Sequence, residues 1–471
     1  ERARVAATAA GDETVATRAL SNMGLVCLER GEYAKALSIW EGTLPVWESL
    51  GDTSAAATAL LNIAAVYSEQ GDYRRSLAVN ERALKKMEGF GDKHGVVLVR
   101  LSMAQGYGQL GDFGRALSLG RRALASSEAR GEVRLVATAL QEIAGIHLRR
   151  GDYAEALSLY DRALAAQQQV ADRHGAAVTL ANVAITYTDL GDASKGLAYH
   201  ERALAVFEAL GDRRSVARAT ASIAGIHGEG GRREEALAQF ERVLAEFEVL
   251  GDKEGAAQCL SIIGTTYAAL GNHAKALSYH ERAHAAMRAL GKRGDEAGEL
   301  INIGKAHHEL GDHAKAREFV RGGAEAARAT RATPTYVTAQ SALAKIHLAA
   351  GEPGRALAAA EAGLDAVEQM LGALGEELGA AAREQHADLY AIGALAAARD
   401  EDVAKTLKFM ESGRAGALLD LLTQREDLRW KAETLSPELR QLDLDAQGAQ
   451  RAARRAYDKA ATRGTRKATR A

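Results

Sequence analysis

The chain has 471 residues, a formal net charge of −2, 47 glycines, four prolines and two cysteines. Its nearly balanced charge predicts no general attraction to nucleic acid or to a membrane surface. Cys27 and Cys259 are too few for a disulfide framework and do not have the spacing of metal ligands. No apolar run approaches the ~20 residues of a membrane span, and no signal peptide opens the chain. We therefore expect a soluble, cytoplasmic protein.

Glycine recurs every twenty residues along most of the chain. It stands at each twentieth position from 11 to 151 and from 191 to 311, and again at 351; Ala171 and Arg331 take its place at the two exceptions. An acidic residue usually follows. Such a pair predicts that glycine ends one helix in the left-handed conformation and that the acid caps the next helix. Each block of twenty is therefore expected to hold one helix and one tight turn.

Alternate blocks carry different apolar stripes, so the true period is forty residues. The first helix of a pair has Leu60, Ile63, Ala64 and Tyr67; the second has Ala156, Leu157, Tyr160, Ala163 and Leu164. This spacing places each stripe on one helix face. Small residues that would let two helices approach closely recur at Ala64, Ala104, Ala144, Ala184, Ala224, Gly264 and Gly304. Each hairpin is too small for its own core and is expected to pack on the next.

The order of residues within one period resembles that of a known repeat. The segment IAAVYSEQGDYRRSLAVNERAL, residues 63–84, is similar to the tetratricopeptide repeat in its forty-residue form, as found in kinesin light chains and in polarity adaptors that bind mitotic-spindle proteins. The resemblance implies an all-α solenoid. The unbroken register predicts about twenty antiparallel helices wound into a right-handed superhelix.

We divide the chain into four segments. Residues 1–10 align with the second half of a repeat and are expected to be a half repeat cut from a longer protein. Nine forty-residue repeats occupy 11–370, the last two degenerate. Terminal helices over 371–427, one at about 371–398 and one at 401–422, close the array. Residues 428–471 are expected to form a basic helical linker or a disordered tail, for which a solvated linker is favoured over nucleic-acid binding.

The second terminal helix contains ESGRAGALLDLL, residues 411–422. It is similar to the element E-x-x-[RK]-A-x-A-L-L-D-L-L, which closes the repeat array in bacterial proteins that carry a caspase-like CHAT protease domain. The matching residues are Glu411, Arg414, Ala415, Ala417, Leu418, Leu419 and Asp420. The resemblance implies a regulatory scaffold whose gene continues past Ala471 into a protease domain. An ordinary amphipathic capping helix is the alternative.

No catalytic site is expected in this chain. Cys27 falls at the stripe position that tyrosine holds in other repeats, and Cys259 lies beside stripe residue Leu260. Neither has a Cys/His setting that would activate a thiolate. We also expect no cofactor.

A group of histidines lies in repeats 7 and 8: His273, His280, His284, His307, His308 and His313. His280 and His284 have the i, i+4 spacing of helical zinc sites. His307, however, takes a tyrosine position of the template, and helical His pairs without an acidic or Cys partner more often reflect the repeat. We therefore predict packing and no metal.

The face of each first helix opposite its packing stripe is expected to line a concave groove. Asparagine recurs on this face at one phase of the repeat, and Glu142 interrupts the series. An amide donates and accepts hydrogen bonds at once, so such a series can hold the main chain of a bound peptide. A merely solvated polar face is the alternative. The candidate peptide-binding residues are Asn22, Asn62, Asn182, Asn302 and Lys305.

Two functions remain open. The first is a scaffold that binds a protein or peptide partner in its concave groove and regulates a CHAT protease. The second is a free-standing adaptor, or the sensor arm of a bacterial signalling regulator, with no protease attached. Neither involves a membrane.

Overall fold

The computed structural model describes residues 13–371 and 387–412. These residues form twenty α-helices and no β-strand, which confirms the all-α prediction. In chain order the helices are α1 (Glu13–Glu29), α2 (Tyr33–Ser49), α3 (Thr53–Glu69), α4 (Tyr73–Phe90), α5 (Lys93–Gln109), α6 (Phe113–Ala129), α7 (Val133–Arg150), α8 (Tyr153–Gln169), α9 (Arg173–Asp189), α10 (Ala193–Leu210), α11 (Arg213–Glu229), α12 (Arg233–Leu250), α13 (Lys253–Ala269), α14 (His273–Leu290), α15 (Arg293–Glu309), α16 (His313–Thr330), α17 (Thr333–Ala349), α18 (Pro353–Leu371), α19 (Ala387–Arg399) and α20 (Val403–Ser412). Up to α18, odd-numbered helices are the first helices of a pair and even-numbered ones the second.

The helix ends follow the glycine and acid pattern. Gly91 and Gly151, for example, have φ of 79° and 86°. The Oδ1 atom of Asp52 accepts a hydrogen bond from the Ala55 amide at 2.9 Å. The same capping bond is made by Asp72, Asp92, Asp112, Asp172, Asp192, Asp212, Asp252, Asn272 and Asp312. Local chemistry therefore ends one helix and begins the next at a fixed place in each block.

The capping prediction was wrong at Glu32, Glu132 and Asp152, whose carboxylates make no capping hydrogen bond. Glu32 instead accepts a bond from Lys35 Nζ at 2.6 Å, and Glu132 one from Arg130 Nη2 at 2.5 Å. The Asp152 carboxylate accepts a hydrogen bond from Arg150. In all three turns a nearby basic side chain binds the carboxylate in place of the first-turn amides.

Two turns keep the glycine conformation without glycine. Ala171 has φ of 51° and Arg331 has φ of 56°. A Cβ atom in the left-handed region costs about 1–2 kcal/mol. Both turns therefore carry backbone strain that the surrounding helix pairs impose.

We predict that Ala171→Gly raises the free energy of unfolding by about 0.5–1 kcal/mol, because relief of the strain outweighs the greater freedom of glycine in the unfolded chain. Urea denaturation measures the change. The reverse substitution, Gly191→Ala, replaces a glycine at φ of 82° and should destabilise the chain. Effects of the same sign for both variants would contradict the explanation.

The core is built where the stripes of neighbouring helices meet. Leu60 and Ala64 have no exposed surface, and Ile63 is 4% exposed. At Gly304 an added Cβ would lie 2.4 Å from Val320 Cγ2 and 2.9 Å from the Ala316 carbonyl oxygen. The small residue therefore lets α15 and α16 approach more closely than any side chain would allow, as predicted.

The described residues fall into two compact units that divide after residue 346. The first holds α1 to α16 and most of α17. In the second, α18 packs on α19 and α19 packs on α20. Leu389 and Phe409 are buried there, and an added Cβ at Gly393 would collide with the Phe409 ring. Of the two predicted terminal helices, the described parts are α19 and α20; most of residues 411–422 lies outside the described residues.

Candidate peptide-binding face

The four asparagines of the series occupy equivalent places on α1, α3, α9 and α15. Each follows the first leucine of its packing stripe by two residues. Asn22 is exposed, whereas Asn62, Asn182 and Asn302 are half-buried. Their side-chain amides make no hydrogen bond with any residue that the structure describes. Since an amide group offers two donor hydrogens and an acceptor oxygen, all four keep unused bonding capacity.

Large aliphatic side chains lie exposed on this face of the first helices. Leu25 and Ile185 are each 42% exposed and stand three residues after an asparagine of the series. Leu98 lies on the face of α5, and Ile262 takes the asparagine position itself on α13; both remain exposed. Amides without partners can bind the main chain of an extended peptide, and accessible aliphatic groups can contact its side chains. This face offers both.

Lys305 stands one helical turn after Asn302 on α15 and is exposed. Burial lowers the pKa of its ammonium group, and the nearby Lys345 ammonium lowers it further. Lys345 is exposed as well. Two neighbouring ammonium groups suit an anionic ligand group.

Two acids on the same face show the same effect. Burial, with help from Glu254, raises the pKa of the Glu69 carboxyl. Burial also raises the pKa of Glu142, which interrupts the asparagine series and whose Oε1 lies 3.6 Å from Arg149 Nη2. Ionisable groups on α3, α7 and α15 therefore all shift toward their neutral forms.

The cysteines lie away from this face. Cys27 is half-buried and packs against the core of the first repeats. The Cys259 thiol is 2% exposed and donates a hydrogen bond to the Phe240 carbonyl oxygen at 3.1 Å. Burial raises the pKa of this thiol to about 12. It is therefore protonated at neutral pH and is a packing group rather than a nucleophile.

The histidine pair on α14 has acidic partners that the sequence analysis missed. His280 Nδ1 lies 2.8 Å from Glu299 Oε2, and both side chains are buried. Ser261 Oγ donates to the other oxygen of Glu299 at 2.5 Å. His284 Nε2 lies 3.4 Å from Glu296 Oε1. Both acids lie on α15, three residues apart. This i, i+3 spacing puts them on one face of the helix, and it is the sequence pattern that could have predicted acidic partners for the two histidines.

These histidines and acids bridge two helices and do not gather into a metal site. Among the residues with described positions, no three His, Cys, Asp or Glu side chains are placed to hold a metal ion. His307 stacks on Phe319 with ring centroids 5.5 Å apart, as Tyr187 stacks on Tyr199. His307 therefore takes the packing role of the tyrosine, as predicted.

No helix in the described ranges is long and apolar enough to cross a bilayer.

Several solved structures are similar to this chain at low sequence identity. A signal-transduction ATPase with numerous domains from Pyrococcus horikoshii, which has a tetratricopeptide repeat sensor, is 17% identical, with a TM-score of 0.53 over 76% of this chain and 55% of that one. A Rap protein complexed with Competence and Sporulation Factor is 15% identical, with a TM-score of 0.50 over 78% and 98%. BtubC from P. vanneervenii is 23% identical, with a TM-score of 0.39 over 47% and 90%. No curated protein matches the sequence.

The sequence profile of the tetratricopeptide repeat matches five overlapping stretches: residues 15–89, 56–129, 135–209, 179–247 and 215–289. Together they span more than half of the chain. Their positions coincide with the helix pairs from α1 to α14. The chain therefore belongs to the tetratricopeptide repeat family.

Proposed function

We propose that the chain is a cytoplasmic binding scaffold that holds an extended peptide segment of a protein partner along its first-helix face. The observation that carries this proposal is the series of four amides, at one phase of the repeat, with no hydrogen-bond partner among the described residues. The Rap protein, which has the same fold, was solved in complex with Competence and Sporulation Factor. Ligand binding by such an array supports the proposal.

Each group on the face has a separate task in this arrangement. The Asn182 amide can donate to a peptide carbonyl and accept from a peptide N–H, whatever the peptide side chains are. Ile185, one turn away, offers an aliphatic contact that distinguishes apolar from charged side chains. Lys305 favours an acidic side chain or a terminal carboxylate at the other end of the peptide.

The test begins with selection of binding peptides from a displayed library of unstructured random peptides. In the selected complex, replacing Asn22, Asn62, Asn182 or Asn302 singly by Ala should cost about 0.5–1.5 kcal/mol of binding free energy, or about two- to tenfold in Kd. The melting temperature should not change, because these side chains support no other group. Fluorescence anisotropy gives the affinities.

Gln168 and Gln169, exposed on second helix α8, provide the matched control. Their replacement by Ala removes amides of the same chemistry from outside the proposed face and should leave the affinity unchanged. If the asparagine variants bind as tightly as these controls, the series is a solvated polar face and the proposal is wrong.

The finer proposal is that this scaffold regulates a caspase-like CHAT protease. It rests on the resemblance of residues 411–422 to the element that closes the array in such proteins, and most of that segment lies outside the described residues. The gene sequence after Ala471 tests it: a strand-rich domain with a His-Gly and a later Cys is expected. A downstream domain without them would discard the protease.

The second candidate is a free-standing adaptor or the sensor arm of a signalling regulator. Its support is the likeness in fold to the Pyrococcus horikoshii protein with a tetratricopeptide repeat sensor. An ATPase domain, or no further domain, in the same gene would favour this function. The peptide-binding face would be the same in both cases.

A further inference from the structure

Contacts join the first two repeats to repeats that follow more than 180 residues later. The Tyr33 hydroxyl donates to Glu254 Oε2 at 3.0 Å. Gln70 Nε2 donates to the Leu290 carbonyl oxygen at 3.4 Å, and Arg214 Nη2 donates to the carbonyl oxygen of Glu29 at 3.3 Å. None of these bonds belongs to the packing of neighbouring hairpins, so they form a separate junction.

Apolar groups take part in the same junction. Ala257, Met287 and Leu290 are buried in one cluster with Tyr33 and its neighbours in the first repeats. A Cβ atom added at Gly31 would lie 3.0 Å from Leu290 Cδ2 and 3.6 Å from Lys253 Cβ. The turn between α1 and α2 therefore touches the beginning of α13 and the end of α14.

Charged groups surround these contacts and leave space between them. Glu254 also accepts a short bond from Lys292, and Arg214 Nε lies 3.1 Å from Asp252 Oδ2. A cavity of about 230 Å³ remains among them, lined in part by Glu69 and Arg218. The polar groups of this junction can exchange their partners for water, so the junction can open without unfolding a repeat.

The junction involves two successive turns, the one that contains Gly31 and the one that contains Gln70. A Cβ atom added at Gly291 would lie 2.8 Å from Gln70 Nε2. Gly111 occupies the position of Gly31 two repeats later, with φ of 78°, and a Cβ atom added there would meet nothing within 4 Å. Gly31 and Gly111 thus form a matched pair, one inside the junction and one outside it.

The bonded groups lie at the ends of first helices or at the turns beside them. Glu29 ends α1, and Gln70 directly follows the end of α3. Glu254 is the second residue of α13. Glu69, which lines the cavity, also belongs to the peptide-binding face, so the joined helix ends lie beside that face.

We propose that these contacts act as a clasp that closes the wall of the groove between repeats 1–2 and repeats 6–8. The clasp restricts the partner to an extended chain with a free end that can thread through the groove. A segment flanked on both sides by folded domains enters only when the clasp opens. The gating role rests on the proposed function, because it needs a bound peptide. The existence of the clasp does not depend on that function.

The existence of the clasp is tested by cross-linking without any ligand. In a Cys27→Ala, Cys259→Ala background, Gly31→Cys and Lys253→Cys place two Cβ atoms 3.6 Å apart, within the range that disulfides use. We expect an intramolecular disulfide on mild oxidation, seen as a shift on a non-reducing gel. Gly111→Cys with Lys253→Cys is the control, because it carries the same strained turn cysteine two repeats later and the same partner cysteine.

Equal cross-linking of the two pairs, or none in either, would overturn the clasp. A circular-dichroism spectrum of each variant shows that both retain their helices. This outcome does not depend on any peptide.

The gating role is tested with a peptide selected on the native chain. The cross-linked protein should bind the free peptide with a Kd within about threefold of the reduced protein. The same peptide with a folded domain fused to each end should associate with the cross-linked protein at least about 100-fold more slowly than with the reduced one.

Equal association of the capped peptide with both forms would overturn gating. If no peptide binds even the native chain, the proposed function fails, and the cross-linking result alone decides the clasp.

Discussion

His280→Leu is expected to destabilise the packing of α14 on α15 by about 3 kcal/mol, because it leaves the buried Glu299 side chain without the imidazole that it contacts. The substitution leaves the Glu299 carboxylate buried with Ser261 as its remaining partner. Replacing both members, His280→Leu with Glu299→Leu, removes the uncompensated charge and should cost much less than the single change.

Hydrogen exchange of the α14 and α15 amides is the appropriate measurement, because a repeat array unfolds locally and a global two-state fit would average the effect. His284→Leu serves as the control. Its pair with Glu296 is longer and partly exposed, so the loss should stay below about 1 kcal/mol. If the double variant were as unstable as His280→Leu, the unpartnered Glu299 side chain would not be the cause of the stability loss.

Gly304→Ala is expected to cost about 3 kcal/mol, near the upper end of what overpacking of a core costs. The added methyl would lie 2.9 Å from the Ala316 carbonyl oxygen and 3.0 Å from the Val320 amide nitrogen. Backbone atoms cannot turn aside as a flexible side chain can, so α15 and α16 must separate. The loss should appear as a lower melting temperature and faster exchange in both helices.

Gly298 provides the comparison within the same helix, since a Cβ atom added there would meet nothing within 4 Å. Gly298→Ala should stabilise α15 by up to about 1 kcal/mol through the higher helix propensity of alanine. If both glycine variants changed stability in the same direction, close packing of α15 on α16 would not explain why residue 304 is a glycine.

The local parts of the fold were predictable because their causes lie within a few residues. The turn glycines and the Asp caps each act over one helical turn. The packing stripe around Leu60 and the small residue at Gly304 follow from the helical period alone. Ala171 and Arg331 keep the glycine conformation because the helix pairs on either side impose it, which the interrupted pattern could not show.

Other features depend on how the repeats are stacked. The clasp between Tyr33 and Glu254 results from a small rotation per repeat that accumulates over six repeats, and no local pattern encodes it. The pairing of His280 with Glu299 depends on how one hairpin crosses the next. The positions of the asparagines within the repeat were enough to predict that they share one face. Only the structure shows that their side chains have no hydrogen-bond partners among the described residues.

The central claim is that Asn182 and its equivalents hold the main chain of a bound peptide, and a calorimetric cycle tests it most directly. The selected peptide is N-methylated at each backbone amide in turn, and each form is titrated into the native chain and into Asn182→Ala. At one amide, methylation and Asn182→Ala should each weaken binding by about two- to tenfold, and together by no more than either alone, because both remove the same hydrogen bond. Additive losses at every amide, or no loss from any methylation, would contradict main-chain recognition by the asparagine series.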